Sequence, residues 1–204
     1  MKIKVRFMKR YVRLDMTNKH LKIFRDAIKD DLKIKPNGNC FIVFEKHEDS
    51  KIKKIEFTLK NQDDFLILRQ DENKHTLNLL NSFSTNKSCD FIVFRILNNE
   101  LIVYYSEIKS SLSKKNENEA LEQIKSSRLF VNYLLSCYLE YHKESIVIKK
   151  EFFLYIYPKM GVSNKRIFCK MTNLRFKSVE VSDIQNGIVK ISENKINEFF
   201  EIFK

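Results

Sequence analysis

Glycine, proline and tryptophan are almost missing from this 204-residue chain, with Gly 3, Pro 2 and Trp 0. Alanine is nearly as scarce, present only as Ala27 and Ala120. So few glycines exclude a Gly-rich nucleotide cradle, and neither G-x-x-x-x-G-K-S/T nor G-x-G-x-x-G occurs. H-E-x-x-H and the G-x-S-x-G nucleophile elbow are absent too. The cysteines Cys40, Cys89, Cys137 and Cys169 are far apart, as are His20, His47, His75 and His142. That dispersion argues against a zinc site or a redox pair and for buried free thiols in a reducing compartment. The longest apolar run, Phe152 to Tyr157, is far short of the roughly 20 residues of a membrane helix. The opening MKIKVRFMKRYVRLDM is basic but has no apolar core of a signal peptide. The expectation is a soluble, cytoplasmic protein.

What is present is core material. The chain is 43% hydrophobic with Phe 17 and Tyr 8, which excludes collagen-like and disordered classes. Its length suits one domain, residues 1–204, able to fold without staples. A net charge of +12 points towards a polyanionic partner. The lean towards Lys, Asn, Ile and Phe also reads as AT-rich codon usage, which adds lysines without functional reason.

The amino terminus offers a strand-like stretch, Lys2 to Phe7, and then a helical pattern at Leu21, Phe24, Ala27, Ile28 and Leu32. Asn18 is placed to cap that helix, and Lys35-Pro36-Asn37-Gly38 to end it. Strands are predicted over Cys40–Lys46, Ile52–Lys60 and Phe65–Gln70, the last two joined as a hairpin by Asn61 to Asp64. A helix over Asn73–Phe83 carries Leu77, Leu80 and Phe83 on one stripe. Two apolar runs then flank Asn98-Asn99, a pair that tolerates positive φ and suits a tight hairpin. Their lack of alternation marks central strands covered on both faces. A long helix follows over Asn118–His142, then a buried strand, Ser145–Tyr157, stopped by Pro158. The remainder is less regular, with a strand at Gly187–Ile191 and an amphipathic helix over Asn194–Phe203.

An acidic residue, any residue, then lysine occurs five times, as expected in a lysine-rich chain: at Asp31, Asp49, Glu72, Glu107 and Glu193. Only Glu107-Ile108-Lys109 closes an apolar strand, Leu101 to Ser106, where burying both charges costs several kcal/mol unless they are paired. A two-residue turn at Asn98-Asn99 puts Glu107 directly opposite Asp90. Period-two alternation puts Lys109 on the same face as Glu107. Two facing carboxylates repel unless a proton or cation lies between them. An all-oxygen, doubly acidic site suits Mg²⁺, with Mn²⁺ able to substitute, and the Ile108 carbonyl is a further candidate ligand. Such a cation activates water and stabilises charge on a phosphodiester, while Lys109 orients the water or neutralises the transition state.

Asp90, a hairpin, Glu107-Ile108-Lys109, a helix and another buried strand together resemble the PD-(D/E)xK nuclease superfamily. The resemblance covers about residues 73–157. It implies a restriction-endonuclease-like α/β core, a mixed central β-sheet flanked by helices, with β-rich N-terminal and α+β C-terminal embellishments. It also implies that Asp90 and Glu107 bind Mg²⁺ and that Lys109 assists the water. Gln123 falls where the family often has a polar helix residue near the site, and Asp71 or Glu72 where many members have another acid. The chain departs in having Cys89 where the family has proline.

The function this implies is a Mg²⁺-dependent nuclease, acting on DNA in preference to RNA, in a restriction or antiphage defence system, as a homodimer or with a partner subunit. The alternative is a non-catalytic nucleic-acid-binding or partner-binding subunit that keeps the fold. Against the site stands a plain reading in which Asp90, Glu107 and Lys109 are ordinary cross-strand charges and Gln123 is exposed. The aromatic run Phe152, Phe153, Tyr155, Tyr157 reads as core. The basic residues Lys2, Lys4, Arg6, Lys9, Arg10 and Arg13 suit either phosphate tracking or a solvated edge.

Overall fold

The computed structural model describes residues 17–45, 49–70, 87–144, 146–159 and 174–200. The expected strand at Lys2–Phe7, the amino-terminal basic residues, the helix at Asn73–Phe83, Asp71, Glu72 and Cys169 lie outside them.

The architecture is mixed α/β. One sheet has five strands in the order β3-β4-β5-β6-β7: Phe65–Leu68, Phe91–Leu97, Glu100–Ile108, Ile148–Lys159 and Leu174–Glu180. β3, β4 and β5 run antiparallel, and β5, β6 and β7 are parallel. A four-stranded sheet has the order β1-β2-β9-β8: Cys40–Phe44, Lys54–Thr58, Ile188–Ile191 and Ile184–Gln185. Helices α1 (Asn18–Ala27) and α2 (Lys114–His142) cover one face of the five-stranded sheet. The second sheet and α3 (Glu193–Phe200) cover the other. Among the described residues no helix is long and apolar enough to cross a membrane.

The β4–β5 hairpin explains itself from its sequence. Asn98 and Asn99 both take positive φ, 51° and 60°, as a primed two-residue turn requires. That turn fixes the register, with Leu97 opposite Glu100 and Phe91 opposite Ser106. Because both faces are covered, odd and even positions are equally apolar. Val103 and Tyr105 pack towards the helices, and Ile102 and Tyr104 towards the second sheet. An aromatic cluster of Phe57, Phe91, Phe199, Phe200 and Tyr104 joins the two sheets, with ring centroids 4.7–5.9 Å apart.

Several expectations need correction. α1 ends at Ala27, and Asp30–Leu32 form a separate 3-10 turn rather than more helix. The reason is electrostatic and local. Lys33 donates to the Arg25 carbonyl and pairs with Asp30 at 2.7 Å, which folds the chain back over the helix end. The cap is Thr17 rather than Asn18, its N–H donating to His20 Nδ1.

β2 and β3 do not form a hairpin, since each belongs to a different sheet. The connection between them is held by Arg25, which donates to the carbonyls of Gln62, Asp63 and Phe65. β6 runs through Pro158 to Lys159 and is only partly buried in its first half. Pairing with β5 ends at Ile156, so the missing N–H of Pro158 leaves no gap on that side. β7 escaped the sequence pattern because Arg175 and Lys177 interrupt it. Of the described cysteines only Cys89 is buried, whereas Cys40 and Cys137 are half-exposed.

Candidate active site

One residue beyond the last ladder couple of the hairpin, Asp90 faces Glu107. The two clasp each other through the backbone. The Asp90 N–H donates to Glu107 Oε2 at 3.2 Å, and the Ile108 N–H donates to Asp90 Oδ2 at 2.7 Å. Asp90 is 6% exposed and Glu107 1%. Lys109 continues on the same face, its ammonium 2.9 Å from Glu107 Oε1 and donating to Gln123 Oε1 at 2.9 Å. Gln123 stands half-buried on the third turn of α2 and also donates to the Ser88 carbonyl at 3.4 Å. The four side chains singled out by motif are thus together, Gln123 included, and the exposed alternative for Gln123 does not describe it. Ile108 lines the same cleft.

α2 begins one turn earlier than its apolar pattern suggests. Ser113 caps it by accepting from the Asn116 N–H, so the helix starts directly beside the end of β5. A cleft of about 210 Å³ opens there, lined by Glu45, Asp49, Ser50, Ile108, Lys109, Ser110, Asn116 and Glu119.

Glu45 is the residue that motif reasoning missed. It follows β1 in the second sheet and is fixed by its N–H, which donates to the Lys53 carbonyl at 2.9 Å. Its carboxylate lies close enough to raise the pKa of both Asp90 and Glu107. A signal for it existed, because Glu45 closes the apolar strand Cys40–Phe44 much as Glu107 closes its own.

Burial dominates the electrostatics. It drives the Asp90 carboxyl well above the usual range, with Glu107 and then Glu45 adding repulsion and the Ile108 N–H opposing. Burial likewise pushes Glu107 up to about 7, against the pull of Lys109. Burial alone would lower Lys109, but the charge and hydrogen bond of Glu107 outweigh it and hold the ammonium protonated. Burial thus favours the protonated acids, and a further cation between them would favour the charged forms.

The donors suit a hard cation, being carboxylate and carbonyl oxygens with no sulfur or imidazole. Among the described residues no three His, Cys, Asp or Glu side chains are grouped as a ready-made ligand set. Two carboxylates with open positions for water and phosphate is the arrangement Mg²⁺ takes in phosphoryl chemistry. A larger cleft of about 440 Å³ lies between β7, β9 and α3, with Lys177, Lys190 and Lys195 among its walls. Size alone does not supply chemistry, and the smaller cleft is the candidate because Lys109 and Ile108, which contact Glu107 and Asp90, and Glu45 line it.

Comparison with protein-family models, with curated proteins and with solved structures gives no match for this chain. The geometry therefore carries the functional argument by itself.

Proposed function

We propose that this protein is a divalent-metal-dependent nuclease of restriction-endonuclease-like fold, hydrolysing phosphodiester bonds in DNA. The observation that carries the reading is the buried, mutually clasped Asp90–Glu107 pair with Lys109 beside it at the wall of an open cleft. Burying two acids so close together is unfavourable unless the site is built to receive positive charge.

In this reading Asp90 and Glu107 would hold Mg²⁺ or Mn²⁺, with the Ile108 carbonyl as a candidate further ligand. When bound, the cation lowers the pKa of a water and neutralises charge on the phosphate oxygens. Lys109 holds a proton at Nζ and orients the water or stabilises the phosphorane-like transition state. Gln123 fixes the Lys109 ammonium by accepting from it, so that Lys109 does not collapse fully onto Glu107. The net charge of +12 supports a phosphate backbone as the partner, whose binding should weaken steeply with salt. A role in restriction or antiphage defence, and action as a homodimer or with a partner subunit, belong to the same proposal by analogy with the family it resembles.

The test is incubation of the protein with plasmid, single-stranded DNA and RNA, each with Mg²⁺, Mn²⁺ or EDTA. Metal-dependent cleavage of DNA that disappears in Glu107→Gln supports the proposal. DNA binding without cleavage under any metal supports instead the non-catalytic nucleic-acid-binding module.

A further inference from the structure

Asp90 lies just before β4 rather than within it, so its position is not set by strand pairing alone. The segment leading to it is held by side chains from two other elements. The Cys89 N–H donates to Ser127 Oγ at 2.9 Å, and the Ser127 hydroxyl donates to Gln70 Oε1 at 3.2 Å. One residue earlier, the Ser88 hydroxyl donates to the Gln70 carbonyl and the Ser88 carbonyl accepts from Gln123. Ser127 is fully buried and Gln70 is 2% exposed, so these bonds form in low dielectric, where leaving a partner unmade is costly.

A serine pair, Ser126-Ser127, between the buried apolar residues Ile124 and Phe130 of α2 is poor for packing. It needs another explanation. Ser127 stands one helical turn after Gln123, so a single face of α2 reaches both Lys109 and the peptide preceding Asp90. We infer that Ser127, braced by Gln70, is a positioning residue that sets where the Asp90 carboxylate stands relative to Glu107 for cation binding. The inference rests on the nuclease reading of the site. Ser127 touches neither cation nor substrate and acts only through the Ser88–Cys89 peptide. Partners of this kind typically alter metal affinity or activity by about 10–100-fold when removed.

The experiment measures binding of Mn²⁺ alone, by electron paramagnetic resonance, to the full chain well below its melting temperature. Ser127→Ala should weaken Mn²⁺ binding about tenfold, and Ser127→Cys, which is somewhat larger and keeps a weaker acceptor, should fall between. Val131→Ala, one turn further along the same buried face and in the apolar core, should lower the melting temperature without changing Mn²⁺ affinity. If Ser127→Ala does not fold, Ser127→Cys is read against Val131→Ala in the same way. Wild-type affinity in the folded Ser127 variant overturns the inference alone. An equal loss in Val131→Ala also overturns it, since general loosening would then explain the effect. No Mn²⁺ binding by the wild type overturns the nuclease reading, and this inference with it.

Discussion

Arg95 and Lys109 are both cations buried on the β4–β5 hairpin, 5% and 9% exposed, yet their surroundings differ. Arg95 stands mid-strand between the five-stranded sheet and α3. It donates to Asn197 and lies 5.0 Å over the Phe65 ring, while its Nε and Nη1 have no hydrogen-bond partner among the described residues. Asp64, which feels its charge, also has a buried oxygen without a partner among the described residues, and burial raises its pKa against its own backbone hydrogen bond and the pull of Arg95. Lys109 stands at the strand end, shared between Glu107 and Gln123 and bordering a cleft. The first arrangement is an incompletely paired charge caught in packing. The second is a paired set of groups with an opening to solvent. Burial of charge is therefore not enough to mark a site, whereas convergent pairing beside an opening is.

The comparison predicts opposite outcomes for the two ends of the hairpin. The largest effect belongs to Glu107→Gln, which keeps the shape and the bond from the Asp90 N–H but removes a full charge. Cleavage should become undetectable and Mn²⁺ binding should weaken, while DNA binding is unchanged or slightly tighter and the melting temperature moves little. Lys109→Ala comes next. Metal binding should survive, but single-turnover cleavage should slow by roughly two to four decades, the scale of one proton-handling or charge-stabilising group.

A pH effect of intermediate size follows from Glu107. Its folded pKa of about 7 lies above the 4.5 of the unsupported side chain. The folded, metal-free protein thus retains a proton that the unfolded chain gives up. Stability falls as pH rises from about 4.5 towards about 7, the window between the two values. A bound cation displaces that proton, so Mn²⁺ affinity should rise across the same window and the stability loss should flatten. Urea unfolding at about pH 5 and about pH 8, with and without Mn²⁺, measures both slopes.

Arg95→Met should do least. An incompletely paired buried cation exchanged for an apolar side chain of similar length is often neutral or stabilising by roughly 1–4 kcal/mol. Cleavage and Mn²⁺ binding should match wild type. A loss of cleavage in Arg95→Met with its melting temperature intact would erase the distinction between the two cations.

The hairpin was legible because local chemistry decides it. Asn98-Asn99 admits one kind of turn, and that turn sets every facing couple up to Phe91 and Ser106. Extending that register by one couple brings Asp90 opposite Glu107, with Lys109 on the same face, although Asp90 itself lies just before β4. Glu45 and Gln70 were not legible as neighbours of the site, since their approach depends on how the second sheet docks and how β3 ends. The parallel pairing of β2 with β9, Lys54 beside Ile188, joins segments far apart in sequence and leaves no local pattern. Gln123 was reachable only through the family resemblance, and Ser127 was hidden because a small hydroxyl on a largely apolar face resembles filler until its bond from the Cys89 N–H is seen.

The account turns on whether the clasped acids hold a divalent cation, and a Mn²⁺ titration of wild type and Glu107→Gln, with melting curves on both, asks this directly. The predicted result is Mn²⁺ binding that stabilises the wild type and is weakened in Glu107→Gln, whose metal-free melting temperature stays near that of wild type. Contradiction would be a wild type indifferent to Mn²⁺ and a Glu107→Gln protein destabilised by several kcal/mol, the mark of a buried ion pair that serves only the fold.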